Sequence, residues 1–329
     1  MPLLEARNLS VLLRTQRGAA HAVRDASFSL EAGDTLGIVG ESGCGKSMTV
    51  MALMGLLPEG AKVEGSINFG GEELTTKSDA QMGAIRGDRI GMIFQEPMTA
   101  LNPVHTVGKQ VAEPLRLHRN LSARDARKKV IALLDRVGIP DAARRIDSYP
   151  HQFSGGQRQR ITIAMALACE PQLLIADEPT TALDVTIQKQ ILDLLRDLVA
   201  ERGMAMILIS HDLGVIAQNV RRMLVMYGGS VVEEGTTRSV FANPMHPYTL
   251  GLFAARPGLR TPKGKRLATI PGTVPELADL PAGCPFAGRC PFTIPECNTT
   301  VPPPYEIAPG HHARCIRLDA VAEAKRLAA

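Results

Sequence analysis

A strong excess of charge of either sign is missing from this sequence: 37 lysines and arginines stand against 33 aspartates and glutamates, a formal +4. That balance gives no case for a nucleic-acid partner. Long apolar runs are missing too. Ile161 to Cys169 is among the longest, well short of the roughly 20 residues of a membrane span. The start, Met1-Pro2-Leu3-Leu4-Glu5, shows no basic region followed by an apolar core, so no signal peptide is expected and the chain reads as cytosolic. Six cysteines without an export signal point to a reducing compartment, and to metal or catalytic use before disulfides. What is present is apolar content, 45% over 329 residues, enough for one large domain plus something smaller, or for two modest ones.

The chain is organised around Gly40-Glu41-Ser42-Gly43-Cys44-Gly45-Lys46-Ser47, which reads G-x-x-x-x-G-K-[ST]. Its glycines let the backbone curl so that successive N–H groups point inward at phosphate oxygens. Lys46 is expected on the β- and γ-phosphates and the Ser47 hydroxyl on Mg²⁺. Leu36 to Val39 is an apolar run suited to a buried strand, and Met48 to Leu57 is a helix-forming run that ends at Pro58. A strand, this loop and a helix start together make an anion site. Met48, at the head of that helix, is grouped with the ATP-binding residues.

Short strands are expected over residues 1–35 (Leu3 to Val11, Ala22-Val23, Ala26 to Leu30) and again at Val63 to Phe69, which predicts a small antiparallel sheet. A buried strand, Ile90 to Phe94, ends at Gln95. Helices are expected from there to about residue 150. Ser122 to Asp125 reads as a capping box, followed by Ala126, Val130, Leu133, Leu134 and Val137 on one face. Arg124, Arg127, Lys128 and Lys129 lie on the other, a solvated face.

Ser154-Gly155-Gly156-Gln157 pairs an N-cap serine with two glycines, leaving helix N–H groups open to a phosphate. Leu173 to Asp177 is an apolar strand that ends in two carboxylates. Asp177 suits a Mg²⁺ shell, and Glu178 suits polarising a water for attack on a γ-phosphate. Met206 to Ser210 is another buried strand, ending at His211-Asp212, where contacts gather in open α/β sheets. The expected fold class is therefore α/β.

In this order the segments resemble the nucleotide-binding subunit of an ATP-binding-cassette (ABC) transporter: Gly40 to Ser47, Gln95, the signature Ser154 to Gln157, Asp177-Glu178, Asp184 and His211. The resemblance implies a P-loop NTPase core with an N-terminal antiparallel β-subdomain and an inserted helical subdomain at about 96–160. Two cassettes would meet head to tail, each ATP lying between one loop and the other's signature, with Asp184 on the dimer loop. Mg²⁺ would be held through Ser47, Gln95 and Asp177. Glu178, His211 and Gln95 would be catalytic. Phe153 replaces the commoner leucine before the signature. The family's adenine-stacking aromatic is missing, since residues 10–27 contain no Phe, Tyr or Trp; Arg17 or His21 is expected to stack instead.

Twelve of the 23 prolines fall between Pro257 and Pro309, so the tail is expected to be neither a regular sheet nor a bundle. Cys284, Cys290, Cys297 and Cys315 lie in it, and their spacing leaves zinc, an iron–sulfur cluster or free thiols open. His246-Pro247-Tyr248 resembles an element of dipeptide and oligopeptide importer ATPases, as does Glu96-Pro97-Met98-Thr99-Ala100-Leu101-Asn102-Pro103. That subfamily resemblance implies a [4Fe–4S] cluster on the four cysteines, zinc being the alternative. Nothing in the sequence places them near the phosphate loop. It also implies a cassette over 1–240 and an irregular extension over 241–329. The partners would be two permease subunits, a second cassette and an external solute-binding protein, with the chain peripheral on the cytoplasmic face of the inner membrane and no nucleic acid involved. A soluble or regulatory ABC ATPase is the other reading.

Overall fold

The computed structural model describes residues 1–95, 100–181, 183–255 and 269–328. The chain divides into two compact units, Met1–Leu3, Leu30–Thr35 and Gly70–Ile209 in one, Leu4–Ser29, Leu36–Phe69 and Ser210–Ala329 in the other.

In the second unit, β1 (Leu4–Thr15), β2 (Gly18–Leu30) and β4 (Lys62–Phe69) lie side by side in the order β2-β1-β4. β1 and β4 run antiparallel, Leu4 facing Phe69 and Leu12 facing Lys62, with a register shift between Arg7 and Ser10. The strand pieces expected at Ala22-Val23 and Ala26 to Leu30 are thus one strand. Asp25 takes a left-handed φ of 45° within it, its N–H donating to Ser10 Oγ at 3.1 Å. An aspartate tolerates that conformation, which the alternation of apolar residues does not reveal.

β3 (Thr35–Val39) runs parallel to β9 (Arg222–Tyr227), which pairs antiparallel with β10 (Ser230–Thr236). The tail then departs from expectation. β11 (Tyr305–Ala308) and β12 (His311–Ala313) extend this sheet, β12 pairing with β10, and a helix follows over Leu318–Ala328. Strands of four and three residues carry little pattern of their own; the edge of β10 supplies their stability. A buried side chain ties the layer together. Glu233 on β10, 1% exposed, accepts the N–H groups of Met245 (2.8 Å) and His246 (2.9 Å) and lies 2.8 Å from His311 Nε2. The described part of the tail falls in the same compact unit as the phosphate loop.

In the first unit, β6 (Ile90–Ile93), β7 (Leu173–Asp177) and β8 (Ala205–Ile209) are parallel. β5 is the two-residue Glu72–Glu73. Every residue of β7 and β8 is buried, as expected of parallel strands covered on both faces. Helices span Val107–Arg119, Ala123–Arg136, Gly155–Ala166 and Val185–Arg202. On Ala123–Arg136 the buried residues are Ala126, Val130 and Leu134, and Arg124, Arg127, Lys128 and Lys129 are exposed, as the spacing predicts. No helix among the described residues is long and apolar enough to cross a membrane.

Candidate functional site

The phosphate loop joins β3 to the helix Lys46–Met54. Gly45 is that helix's N-cap, left-handed at φ 103°, and no side chain caps the helix start. Its first N–H groups are therefore left for an anion. A Cβ on Gly45 would run into the Ala22 carbonyl oxygen, and one on Gly40 into the Met226 carbonyl and, at 2.6 Å, the Cys44 sulfur. Lys46 is 6% exposed, and its Nζ donates to the carbonyls of Gly40 (2.9 Å) and Glu41 (3.1 Å). Burial pushes the Cys44 thiol up, against the opposing charge of Lys46, which disfavours the thiolate inside the loop. In the same unit, Ser210, one residue before the exposed His211, donates its N–H to Ile38 O at 3.2 Å.

The first unit carries the other expected groups. Glu178 follows β7 at a left-handed φ of 46°, its N–H on Ile209 O at 3.1 Å. Its Oε2 accepts from Gln95 Nε2 at 3.2 Å and from Thr181 Oγ1 at 3.1 Å. A non-glycine residue held in that conformation marks a position whose geometry outweighs its strain, which is common at reactive sites. Asp177 is 4% exposed at the end of β7. In the same unit, the Asp177 carboxylate and the Gln95 amide are oxygen donors of the kind a hard cation such as Mg²⁺ takes.

Ser154 caps the helix Gly155–Ala166. It accepts Gln157 N–H at 3.3 Å, and its own N–H donates to Gln157 Oε1 at 3.2 Å. Ser154 and Gly155 are exposed, so the start of this helix faces outward. Phe153 has a role unseen in the sequence: the Arg145 guanidinium lies 4.1 Å above its ring and reaches Gln152 O at 3.1 Å and Gln157 Oε1 at 3.4 Å. Asp184 is the N-cap of Val185–Arg202, accepting Ile187 N–H at 2.9 Å. Of the importer-type segment that begins at Glu96, residues 96–99 lie outside the described residues, as does Ala182.

Arg17, a residue expected to stack on the base, is a half-exposed side chain held in an ion pair. It forks onto Asp279 at 2.6 and 2.8 Å and reaches Glu276 at 3.2 Å, and it holds the Asp279 carboxyl below the usual range. His21 lines a cavity of about 390 Å³ with Arg24, Leu280, Pro281 and Arg314.

The four tail cysteines lie in the same unit as the phosphate loop, with no disulfide. Cys284, Cys297 and Cys315 are buried, and Cys290 is partly buried. Burial pushes Cys284 up to about 12; the Phe286 N–H opposes this, and Cys315, Cys290 and Cys297 add to it. Phe292 and Arg317 direct their N–H groups at the sulfurs of Cys290 (3.4 Å) and Cys315 (3.3 Å). Yet among the described residues no three of His, Cys, Asp or Glu are arranged to hold a metal ion. The four thiols share one environment, in which Cys315, Cys290 and Cys297 act on Cys284. Nothing in the sequence links this stretch to the loop, but Arg289, the residue before Cys290, donates to the Glu41 carboxylate at 2.7 Å. A contact spanning almost 250 residues of chain leaves no local pattern to read.

Tyr248 and Arg289 are the residues that sequence reasoning missed. The N–H of Glu41 donates to the Tyr248 hydroxyl at 2.7 Å. The His-Pro-Tyr resemblance was the only signal pointing there.

Residues 23–181 match the family described as ABC transporter, and residues 232–297 match the C-terminal region of oligopeptide/dipeptide transporters. A putative peptide import ATP-binding protein of Brucella ovis is 50% identical, covering 98% of both chains. One from Brucella abortus is 51% identical over 95% of this chain and 94% of its own. This chain belongs to the ABC transporter family. The cassette also resembles solved structures. A dimeric ATP-binding cassette in a post-hydrolysis state, bound to ADP and Pi, is 28% identical with a TM-score of 0.65, covering 71% of this chain and 99% of that one. The protein is an ABC-type ATPase, and ATP with Mg²⁺ is what such a site uses.

Proposed function

We propose that this cassette energises the import of dipeptides, oligopeptides or related small solutes. The observation that carries this reading is near-complete coverage at 50% identity by proteins named for peptide import, together with the oligopeptide/dipeptide match over residues 232–297. The chain has two separate glycine-bearing helix starts suited to a phosphate, at Gly45 and at Ser154, whereas one ATP needs a single cradle. That surplus supports a composite site in which Ser154 to Gln157 serve the ATP held by Gly40 to Met48 of a second cassette, with Asp184 on the shared boundary.

In the proposed cycle, Glu178 takes a proton from water as the water attacks the γ-phosphorus and the bond to the β–γ bridging oxygen breaks, releasing ADP. Gln95 orients that water, and His211 holds the γ-phosphate. Ser47, Gln95 and Asp177 are the residues that would hold Mg²⁺, whose chemistry would be to neutralise charge on the phosphates. Two permeases, a second cassette and an external solute-binding protein complete the system, with this chain peripheral at the cytoplasmic face of the inner membrane. The cysteines Cys284, Cys290, Cys297 and Cys315 are the proposed place for a [4Fe–4S] cluster or, alternatively, zinc. Buried thiols and the N–H groups directed at two of their sulfurs support that reading.

Co-purification tests the function. A tagged chain isolated from native membranes with Mg²⁺ and a non-hydrolysable ATP analogue should bring two multi-span permeases and a second cassette. Recovery of ribosomal proteins or nucleic acid without a membrane partner would overturn it. Iron, sulfide and zinc counted per chain after anaerobic purification decide the cysteine site.

A further inference from the structure

Glu41, the second residue of the phosphate loop, is held through all three of its polar groups. Its carbonyl accepts from Lys46 Nζ at 3.1 Å, a contact within the loop. The other two partners come from the far end of the chain. Tyr248 Oη accepts the Glu41 N–H at 2.7 Å, and Arg289 donates to both carboxylate oxygens, at 2.7 and 3.3 Å.

Arg289 is itself fixed. Its side chain is 6% exposed, and its Nε donates to Pro271 O at 2.8 Å. Weaker contacts reach Ile270 O, Gly272 O and the Tyr227 hydroxyl. Tyr248 is fully buried in a ring cluster, its centroid 4.7 Å from Tyr227 and 5.4 Å from Phe286. A planar fork on a carboxylate defines orientation as well as attraction, and a ring wedged between two others leaves its hydroxyl no second position. The restraints therefore act on the direction of the loop backbone where it leaves β3.

We propose that Arg289 and Tyr248 are positioning residues for ATP binding: the C-terminal extension clamps Glu41 and thereby aims the N–H groups of the phosphate loop. Both act through Glu41 and not on a phosphate directly. Gln95 and Glu178 are not part of the clamp, so loosening it weakens nucleotide capture and leaves the chemical step to groups that remain in place.

The experiment uses full-length protein and compares wild type with Arg289→Met, Arg289→Lys, Glu41→Gln, Tyr248→Phe and Glu41→Gln/Arg289→Met. ATPase kinetics, ATP binding and melting temperature are read for each. Losing a charge-assisted, bidentate hydrogen bond should raise KM for ATP by roughly 10-fold or more, with kcat within about twofold. Arg289→Lys should recover part of the KM, since it keeps the charge and loses the fork. The double variant should be no worse than Arg289→Met alone, because both changes break one contact. An unchanged KM in a folded Arg289→Met protein, or losses in the double variant equal to the two single losses added together, would overturn the proposal. Should Arg289→Met fail to fold, Glu41→Gln and Tyr248→Phe carry the same test: a raised KM at near-normal kcat upholds the clamp, and a lowered melting temperature with normal KM removes it.

Discussion

Gln95 Nε2 donates to Glu178 Oε2 over 3.2 Å, joining the end of β6 to the end of β7, and Glu178 makes this contact from a left-handed backbone at φ 46°. Thr181 Oγ1 donates to the same oxygen at 3.1 Å. Two donors on one oxygen orient the carboxylate. Glu178→Gln keeps the shape and removes the carboxylate proposed as the base. ATP turnover should fall by roughly 10²–10⁴-fold while ATP binding is retained, which steady-state hydrolysis and nucleotide-binding titration would measure. Turnover within a few-fold of wild type would remove Glu178 as the base.

Gly45 combines two constraints that a side chain cannot satisfy together, a φ of 103° and the Ala22 carbonyl oxygen in the path of a Cβ. Gly45→Ala should lose ATP binding and destabilise the fold by at least about 1–3 kcal/mol, the cost of a strained backbone position. Nucleotide titration and urea unfolding on the same preparation would check both. Gly43→Ala is the control, because a Cβ there has nothing within 4 Å and only its φ of 80° resists substitution.

His246 supplies a pH dependence. Burial lowers its pKa from 6.5 to about 4, outweighing the nearby Glu233, and its Nδ1 accepts the Tyr248 N–H at 3.1 Å. The folded state therefore keeps it neutral at pH values where the unfolded chain protonates it. Stability from this group is complete above pH 6.5 and falls as pH drops through the window toward 4, by up to about 3 kcal/mol. Urea midpoints measured from pH 7.5 to 4.5 should show this loss. His246→Asn keeps a side-chain acceptor at the helix start and does not titrate, so its curve should be flatter over that window.

Much of this arrangement is written locally in the chain. The phosphate loop, the Ser154–Gln157 cap and the all-apolar strands β7 and β8 depend on neighbours a few residues apart, and short-range chemistry specifies them. The capped helix at Ala123–Arg136 was legible for the same reason, from the serine at its start and three buried positions at helical spacing. Three features were not legible. The left-handed φ of Glu178 is imposed by the packing around it and not by its own preference. Strands β11 and β12 are too short and proline-flanked to declare themselves; they exist because β10 offers an edge. Arg289 and Tyr248 reach Glu41 across more than 200 residues, a contact that no periodicity encodes.

Glu233 gives the tail a bearing on how such a chain can change over generations. Three of its donors, Met245 N–H, His246 N–H and His311 Nε2, belong to residues beyond position 240. A stop codon there would strand a carboxylate in the interior and bare the edge of β10, the kind of surface that pairs with other chains. Such a truncation should accumulate as aggregate, not as a smaller working ATPase. Descendants of this gene can therefore alter the last ninety residues piece by piece, but they have no route to discarding them.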